Sequence, residues 1–405
     1  MRVTNMVPDI EYSMQQSQQA LTTAEMQVAT GLRVNRPSDD PTAAANDTVS
    51  LAASAKVDQF TSNIDTLLPQ LQTADSAISS VVTSLNSAIT LGTEGANGSN
   101  ISQRPVIAAQ VAGILSTVIS QANASNSGEY LFGGSASSSA PFVAASSTYT
   151  SANGSVAQPL STTTLLTAGS ITTIGDAQTG DTFEFTAKTG DTIGTLQTAI
   201  ANAVAAGTLT AGTTATINAS GQLSIATNSS TAGIAVISND AALGSMSATQ
   251  GTSVANAYAY VGNSTINTAQ VGDSLSVSTN VPGSNLFGSG SNVIGALSGL
   301  ISALQNGGTT AQIGTAVAAV STALNNVNQQ RVPLDNTIAA LNSQQSYLGQ
   351  ETVTLTSQQD NLVGANMADA ATNLAQAQTQ YQAVLAVAAK VMPQTLLNYL
   401  SQPSA

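Results

Sequence analysis

Apolar residues near both ends of the chain recur alternately every fourth and third position, the spacing of a helix with one narrow apolar seam. The first seam runs through Val3, Val7, Ile10, Met14, Ser17, Leu21, Ala24 and Val28, with Gln and Thr on the other faces. A second runs through Phe60, Ile64, Leu67, Leu71, Ala74, Ile78, Val81, Leu85 and Ala88. It contains Pro69. An interior proline costs a helix about 3 kcal/mol, so a kink or a break is predicted there. A shorter pattern, Ile107, Val111, Ile114 and Val118, follows Pro105, which suits the first turn of a helix. Helix returns after about Val293, where the same rhythm extends from Ile313 through Val320, Val327, Arg331, Leu334, Leu341 and Leu348 to Leu355, across Pro333. The last seam is Met367, Ala371, Leu374, Gln378, Tyr381, Leu385, Ala388 and Met392, and it leads into Leu397, Tyr399 and Leu400.

The middle, roughly Ser135 to Asn292, has a different texture. It is rich in Ser, Thr, Gly and Ala, and short alternating runs predict strands at Thr182–Thr186, Thr214–Asn218, Gln222–Thr227 and Ser274–Ser278. One amphipathic helix is predicted among them, with Ile193, Leu196, Ile200 and Val204 on one face. The pattern therefore predicts an α+β chain whose helical ends pack against each other and carry a β-rich insertion. A heptad seam of this kind fits an intramolecular bundle or helices that associate between subunits. A lone terminal helix pair buries little surface, which leans toward assembly.

Composition removes most chemistry from this picture. The 405 residues include no Cys, His or Trp, only 7% are charged, and the net charge is −13. That excludes a thiolate nucleophile, an imidazole base, a disulfide and a His-ligated zinc site. Lys56, Lys188 and Lys390 never follow a Gly, so no Walker-type phosphate loop is present. Eight dispersed basic residues in an acidic chain make nucleic acid a poor partner. No run of 18 apolar residues points to a membrane span, and the first residues lack the apolar core of a cleaved leader. No enzyme, cofactor or metal is expected. The densest carboxylates, Asp181, Glu184 and Asp191, flank strand and turn signals and read as a solvated hairpin. Tyr149, Tyr258 and Tyr260 read as core or edge residues, with a sugar-stacking role as the alternative.

The most informative local stretch joins the first two helices. Gly31 can end one helix, Pro37 forces an extended approach, and Asp39 or Asp40 can cap the next helix, with Pro41 at its first position. Capping competes there with cation binding by the paired aspartates. Gly31, Arg33, Asn35 and the run Ser38-Asp39-Asp40-Pro41 resemble the N-terminal signature of the bacterial flagellin family, as its assembly motif. Two further segments, Gly128-Glu-Tyr-Leu-Phe-Gly-Gly134 with Pro141-Phe142, and Gln394-Thr-Leu-Leu-Asn-Tyr-Leu400, resemble the hook-associated members of that family more than the filament subunit. Residues 193–227 resemble the insertion motif of flagellins and hook proteins. Two segments depart from the family pattern: Gly364–Asp369, where an Asp-x-Asp is usual, and Val332-Pro-Leu-Asp335, where Gly-Ala-Arg is usual.

The resemblance implies a coaxial antiparallel helical coiled coil made from both termini. It divides the chain into a terminal layer (1–35 with 362–405), a helical rod (36–142 with 293–361) and a β-rich outer insertion (143–292). It implies a structural protein that self-associates in a ring at the junction of hook and filament. The partners implied are hook-associated protein 1, flagellin, the flagellar type III export apparatus and an export chaperone, with localisation outside the cell. A filament subunit is the nearest alternative, and a surface adhesin or carbohydrate-binding module a more remote one.

Overall fold

A computed structural model describes residues 6–228, 233–249, 253–288 and 292–400. Val3 of the first seam lies outside them. Long helices dominate the ends: α1 (Met6–Thr30) and α2 (Pro41–Ala96) before the β-rich part, and helices over Thr310–Val363 and Met367–Leu400 after it. A 3-10 turn (Gly98–Gln103) leads into α3 (Arg104–Ala122). The middle contributes β1 (Ser125–Asn126), β2 (Glu129–Tyr130), β3 (Phe142–Ser146), β4 (Thr148–Ser151), β5 (Ile171–Asp176), β6 (Thr182–Thr186) and α4 (Ile193–Ala205). It continues with β7 (Thr214–Ile217), β8 (Leu223–Ala226), β9 (Ile234–Ser238), β10 (Met246–Ala248) and β11 (Ser253–Tyr260). The chain then forms β12 (Thr268–Gln270), β13 (Ser276–Ser278), α5 (Gly283–Leu286) and α6 (Val293–Gln305). It ends in α7 (Thr310–Val363) and α8 (Met367–Leu400). The fold is thus α+β, with helical ends and a central antiparallel β region.

The chain divides into two compact units, one formed by the described residues up to Ser62 and from Gln345, the other by Asn63–Gln344. In the larger unit, burial on α2 recurs every seventh residue at Ile64, Leu71, Ile78 and Leu85, with Leu67, Ala74, Val81 and Ala88 between them. On α7 it recurs at Ile313, Val320, Val327, Leu334 and Leu341, and then at Leu348 and Leu355 in the smaller unit. Gly92 meets Val317, and Asp75 meets Arg331, so α2 and α7 run antiparallel in the larger unit. Arg331 enters the seam by pairing twice with Asp75, at 2.6 and 3.0 Å, and stands 3.7 Å from Asp335. Pro69 and Pro333 do not break their helices: both stand on exposed sides of continuous α2 and α7. A freed carbonyl on a wet face finds water, so the seam, buried on the far side, carries the helix through.

The β region folds around one apolar cluster. Two antiparallel sheets, ordered β10-β4-β8-β7 and β11-β3-β9-β5-β6, contribute Ile174, Leu223, Ile225, Ile234 and Val236 to it. The helix α4 adds Ile193, Leu196, Ile200 and Ala203, and it starts in a reciprocal cap between Thr192 and Thr195. The predicted strand at Thr182–Thr186 and this helix appear as read. The strands β5 and β9 were not signalled by alternation, because β9 is central and covered on both faces at Ile234, Ala235 and Val236. Asp176 and Asp240, buried in this nearly uncharged region, serve as backbone acceptors. Asp176 takes the amides of Gln178, Thr179 and Thr210, and Asp240 those of Thr167 and Ala242 plus the Ser170 hydroxyl.

The motif Gly128–Gly134 closes the helical part in a compact way. Phe132 meets Phe287 edge-on at 5.4 Å, and Phe142 packs on Tyr260 and Phe287 at 5.0 and 5.6 Å. The Tyr260 hydroxyl reaches the Phe132 and Asn263 carbonyls, and burial pushes its pKa up. Gly134, at φ +69°, lies so close to the Asn263 carbonyl that no Cβ fits. The helical stretch Gly98–Ala122, which contains α3, is apolar and long enough to cross a membrane by length and composition alone. Its apolar face, Ile107, Val111, Leu115 and Val118, is buried, with α6 packed against it.

Candidate assembly segment and terminal seam

Everything in the Gly31–Pro41 stretch is placed by two interrupted helices meeting at one level within the smaller unit. At Gly31, φ +72° turns the chain out of α1. Leu32 then pairs in antiparallel fashion with Gly364, the residue just after α7. The Arg33 amide donates to the Val363 carbonyl at 2.6 Å, and the Ala365 amide donates to the Gly31 carbonyl at 2.9 Å. The link between α1 and α2 is thereby stitched to the link between α7 and α8. Because α1 ends where α8 begins and the two helices pack together, they run antiparallel.

The polar side chains of the motif complete this clasp. The Arg33 guanidinium donates to Asp40 at 3.2 Å and to the Leu362 carbonyl at 2.8 Å. One cation thus bridges the first residue before α2 and the last turn of α7, where a helix dipole favours positive charge. Asp40 caps α2 by accepting from the Ala43 amide at 3.0 Å, while Asp39 accepts from the amides of Asn35 and Arg36 at 3.1 and 2.9 Å. The Ala43 amide, then the Arg33 side chain, hold the Asp40 carboxyl below its ordinary range. Asn35 accepts from the Thr30 hydroxyl at 2.8 Å and donates to the Leu32 carbonyl at 2.8 Å. Ser38 and Pro41 are exposed on the outside of the turn. Sequence reasoning did not single out Val34, which is buried with Ala43 and Val363 beneath the clasp. An apolar residue between Arg33 and Asn35 was the available signal.

Both aspartates therefore spend their oxygens on amides and Arg33, as caps do. Among the described residues no group of three or more carboxylates gathers to hold a metal. Asp181, Glu184 and Asp191 likewise sit at a turn and strand, and Asp191 accepts from the Lys188 amide at 2.8 Å. Tyr149 and Tyr260 are buried and Tyr258 half-buried, so these rings form no exposed stacking face.

Along α1 the seam positions face inward: Ile10, Met14, Leu21 and Val28 are half-buried, and Ser17 and Ala24 fully buried. The side chains of Val7, Leu397, Tyr399 and Leu400 lie outside the described residues. On α8 the covered positions are Ala370, Leu374, Ala377, Tyr381, Val384 and Ala388. Leu374, Tyr381 and Ala388 belong to the predicted seam, whereas Met367 and Leu385 are 49% and 40% exposed. The helix is turned so that Ala370, Ala377 and Val384 are covered together with Leu374, Tyr381 and Ala388.

Residues 4–137 match the family model of the bacterial flagellin N-terminal helical region, and residues 317–400 that of the C-terminal helical region. No curated protein matches the chain. Among solved structures, a protein of Vibrio parahaemolyticus described as a flagellar hook-associated protein is 15% identical, with a TM-score of 0.49 over 80% of this chain and 100% of that one. FlgL of Bacillus cereus is 14% identical, with a TM-score of 0.42 over 77% and 97%. Hook-associated protein 3 of Legionella pneumophila is 11% identical, with a TM-score of 0.38 over 78% and 98%. The two matched helical regions meet at the clasp built from Gly31, Arg33, Val363 and Ala365. Through these two regions at its ends, the chain belongs to the bacterial flagellin family.

Proposed function

We propose that this chain is a structural subunit of the flagellum that joins the hook to the filament, as hook-associated protein 3 does. The observation that carries this choice within the family is the segment Gly128–Gly134 with Pro141-Phe142. It resembles the hook-associated members in sequence, and its Phe132 and Phe142 build the aromatic cluster that closes the helical part. The Leu-Leu-Asn-Tyr-Leu run ending at Leu400 supports the same choice. In this reading α1 and α8 form the terminal layer, residues 36–142 and 293–361 the rod, and 143–292 an outward insertion. The motif from Gly31 to Pro41 positions the terminal layer for ring assembly. Hook-associated protein 1 and flagellin are the neighbours on either side. The subunit leaves the cell through the flagellar type III apparatus, escorted by an export chaperone, and works outside it.

A strain lacking this chain is expected to build hooks and shed flagellin into the medium. Normal filaments on that strain overturn the reading. The second reading, a filament subunit, is favoured by the family models themselves, which describe flagellin helical regions. Long filaments grown from the purified chain alone would select it. An adhesin reading, which rests on the Ser/Thr-rich middle, loses Tyr149 and Tyr260 as sugar-stacking rings because both are buried.

A further inference from the structure

We infer that Asn306 is the preferred site of spontaneous deamidation in this chain, where the next residue's amide converts its side chain into an aspartate or an isoaspartate. The sequence holds three Asn-Gly pairs, Asn97-Gly98, Asn153-Gly154 and Asn306-Gly307. All three share one chemistry. The glycine nitrogen attacks the asparagine Cγ, a C–N bond forms, and the side-chain nitrogen leaves as ammonia. The attacking nitrogen gives its proton to solvent, and the departing one takes a proton up. Water then opens the five-membered imide at either carbonyl. One product is aspartate; the other is isoaspartate, whose main chain is longer by one carbon. Glycine has no Cβ to hinder the approach, so sequence ranks the three pairs alike. What separates them is how firmly each asparagine is held.

All three asparagines are exposed and lie in the larger unit, so water reaches each of them. Asn97 is fixed twice. Its side-chain oxygen accepts from the Ser99 amide at 3.0 Å as the cap of the 3-10 turn, and its carbonyl accepts from the Asn100 amide at 3.0 Å. Asn153 is fixed as well: its side-chain amide donates to the Ala241 carbonyl at 2.8 Å, and its own carbonyl takes the Ser151 hydroxyl at 2.8 Å. Asn306, the residue after α6, differs. Among the described residues its side chain and its carbonyl have no hydrogen-bond partner, and neither does the Gly307 amide that attacks. The nearest bonds run from the Asn306 amide to the Ser302 carbonyl at 3.0 Å and from the Gly308 amide to the Ala303 carbonyl at 2.9 Å. They hold the residues on either side and leave the peptide between Asn306 and Gly307 unbonded. Gly307, at φ +68°, and Gly308 put no Cβ in the way of its turning. An intramolecular attack is fast where the near-attack arrangement is reached, and the bonds on Asn97 and Asn153 keep those residues from it. The product sets a new carboxylate at the C-terminal end of α6, where the helix dipole disfavours it. Isoaspartate also shifts the chain just before Gly308, whose carbonyl takes the Arg104 guanidinium at 2.7 Å.

The inference does not depend on the flagellar assignment, and its test uses the purified full-length chain. The protein is incubated in mildly alkaline buffer, folded or in guanidinium chloride. The three Asn-Gly peptides are then followed by mass spectrometry, with isoaspartate scored by enzymatic methylation. In the folded chain the Asn306 peptide is expected to convert at least about fivefold faster than the Asn97 and Asn153 peptides. In denaturant the three rates should converge to within about twofold, because unfolding frees the two held asparagines. Asn306→Gln should remove the fast conversion and leave the other two rates as they were. Two results overturn the inference. One is a smaller advantage of Asn306 over either held site in the folded chain. The other is the same advantage persisting in denaturant, which would assign the ranking to sequence and not to structure.

Discussion

At the scale of single residues, Asp39 and Asp40 are neighbours with separate tasks. Asp39 holds the turn through Asn35 and Arg36, and Asp40 caps α2 and meets Arg33. Because folding lowers the Asp40 pKa, its contribution is present above the unfolded value and is lost as pH falls through the lower folded value. A carboxyl-detected NMR titration should therefore place Asp40 below the roughly 3.9 of a free aspartate. A midpoint at or above that value would contradict the cap and ion pair. Gly134 makes a second residue-level case. A methyl group there would overlap the Asn263 carbonyl at positive φ, so Gly134→Ala should cost on the order of 2–3 kcal/mol, read as a lower denaturant midpoint. The candidate motif was legible as a helix stop, a turn and a cap because those tasks are local. The Arg33 contact with Leu362, far along the chain, was not, since no spacing reports a partner at that distance.

The elements carry their own lesson in the two prolines. The seam rhythm predicted α2 and α7 across Pro69 and Pro333, and proline at Pro69 predicted a kink or a break; both helices run unbroken through their prolines. Each proline stands on an exposed side, so its helix loses one hydrogen bond and keeps all its buried contacts. Pro69→Ala should accordingly raise stability by about 1–3 kcal/mol and increase Tm, and a fall in Tm would mean that Pro69 matters for packing. Truncation within the seam should act in the opposite sense. Leu341→Ala removes a fully buried side chain from α7 and should cost about 2–5 kcal/mol in equilibrium unfolding. On α8 the sequence seam was read through Ala371, Gln378 and Leu385, which are exposed, one residue beyond the covered Ala370, Ala377 and Val384. Packing on α1 covers Ala370, Ala377 and Val384 and leaves Met367 and Leu385 outside. The larger Leu385 drew the seam one residue too far, and packing sets it by what is covered.

At the scale of the molecule, the ends and the middle are built on different principles. The helices are assembled by seams repeated along their length, and the β region by one cluster that gathers Ile174, Leu196, Leu223 and Ile234 from separate strands and α4. If 143–292 is a domain, as proposed, that stretch expressed alone should unfold cooperatively with a β-rich circular dichroism spectrum. A broad, non-cooperative transition would show that it needs the helical part, for example Phe132 and Phe142 beside Phe287. The absence of Cys and His narrows what such a molecule can do chemically, and its carboxylates at Asp40, Asp176 and Asp240 are taken up as backbone acceptors.

What the sequence determined by itself was periodic or local. The seven-residue rhythm of α2 and α7, the strand at Thr182–Thr186, the helix at Ile193–Ala205 and a cap at Asp39 or Asp40 all depend on neighbours within a few positions. Only the tertiary structure decided the central strands β5 and β9, the phase of α8 and the bond between Arg33 and Leu362. A strand covered on both faces loses its alternation, an alanine-rich helix has no preferred side until a partner approaches, and a contact between the two ends of a chain leaves no mark in the spacing of either.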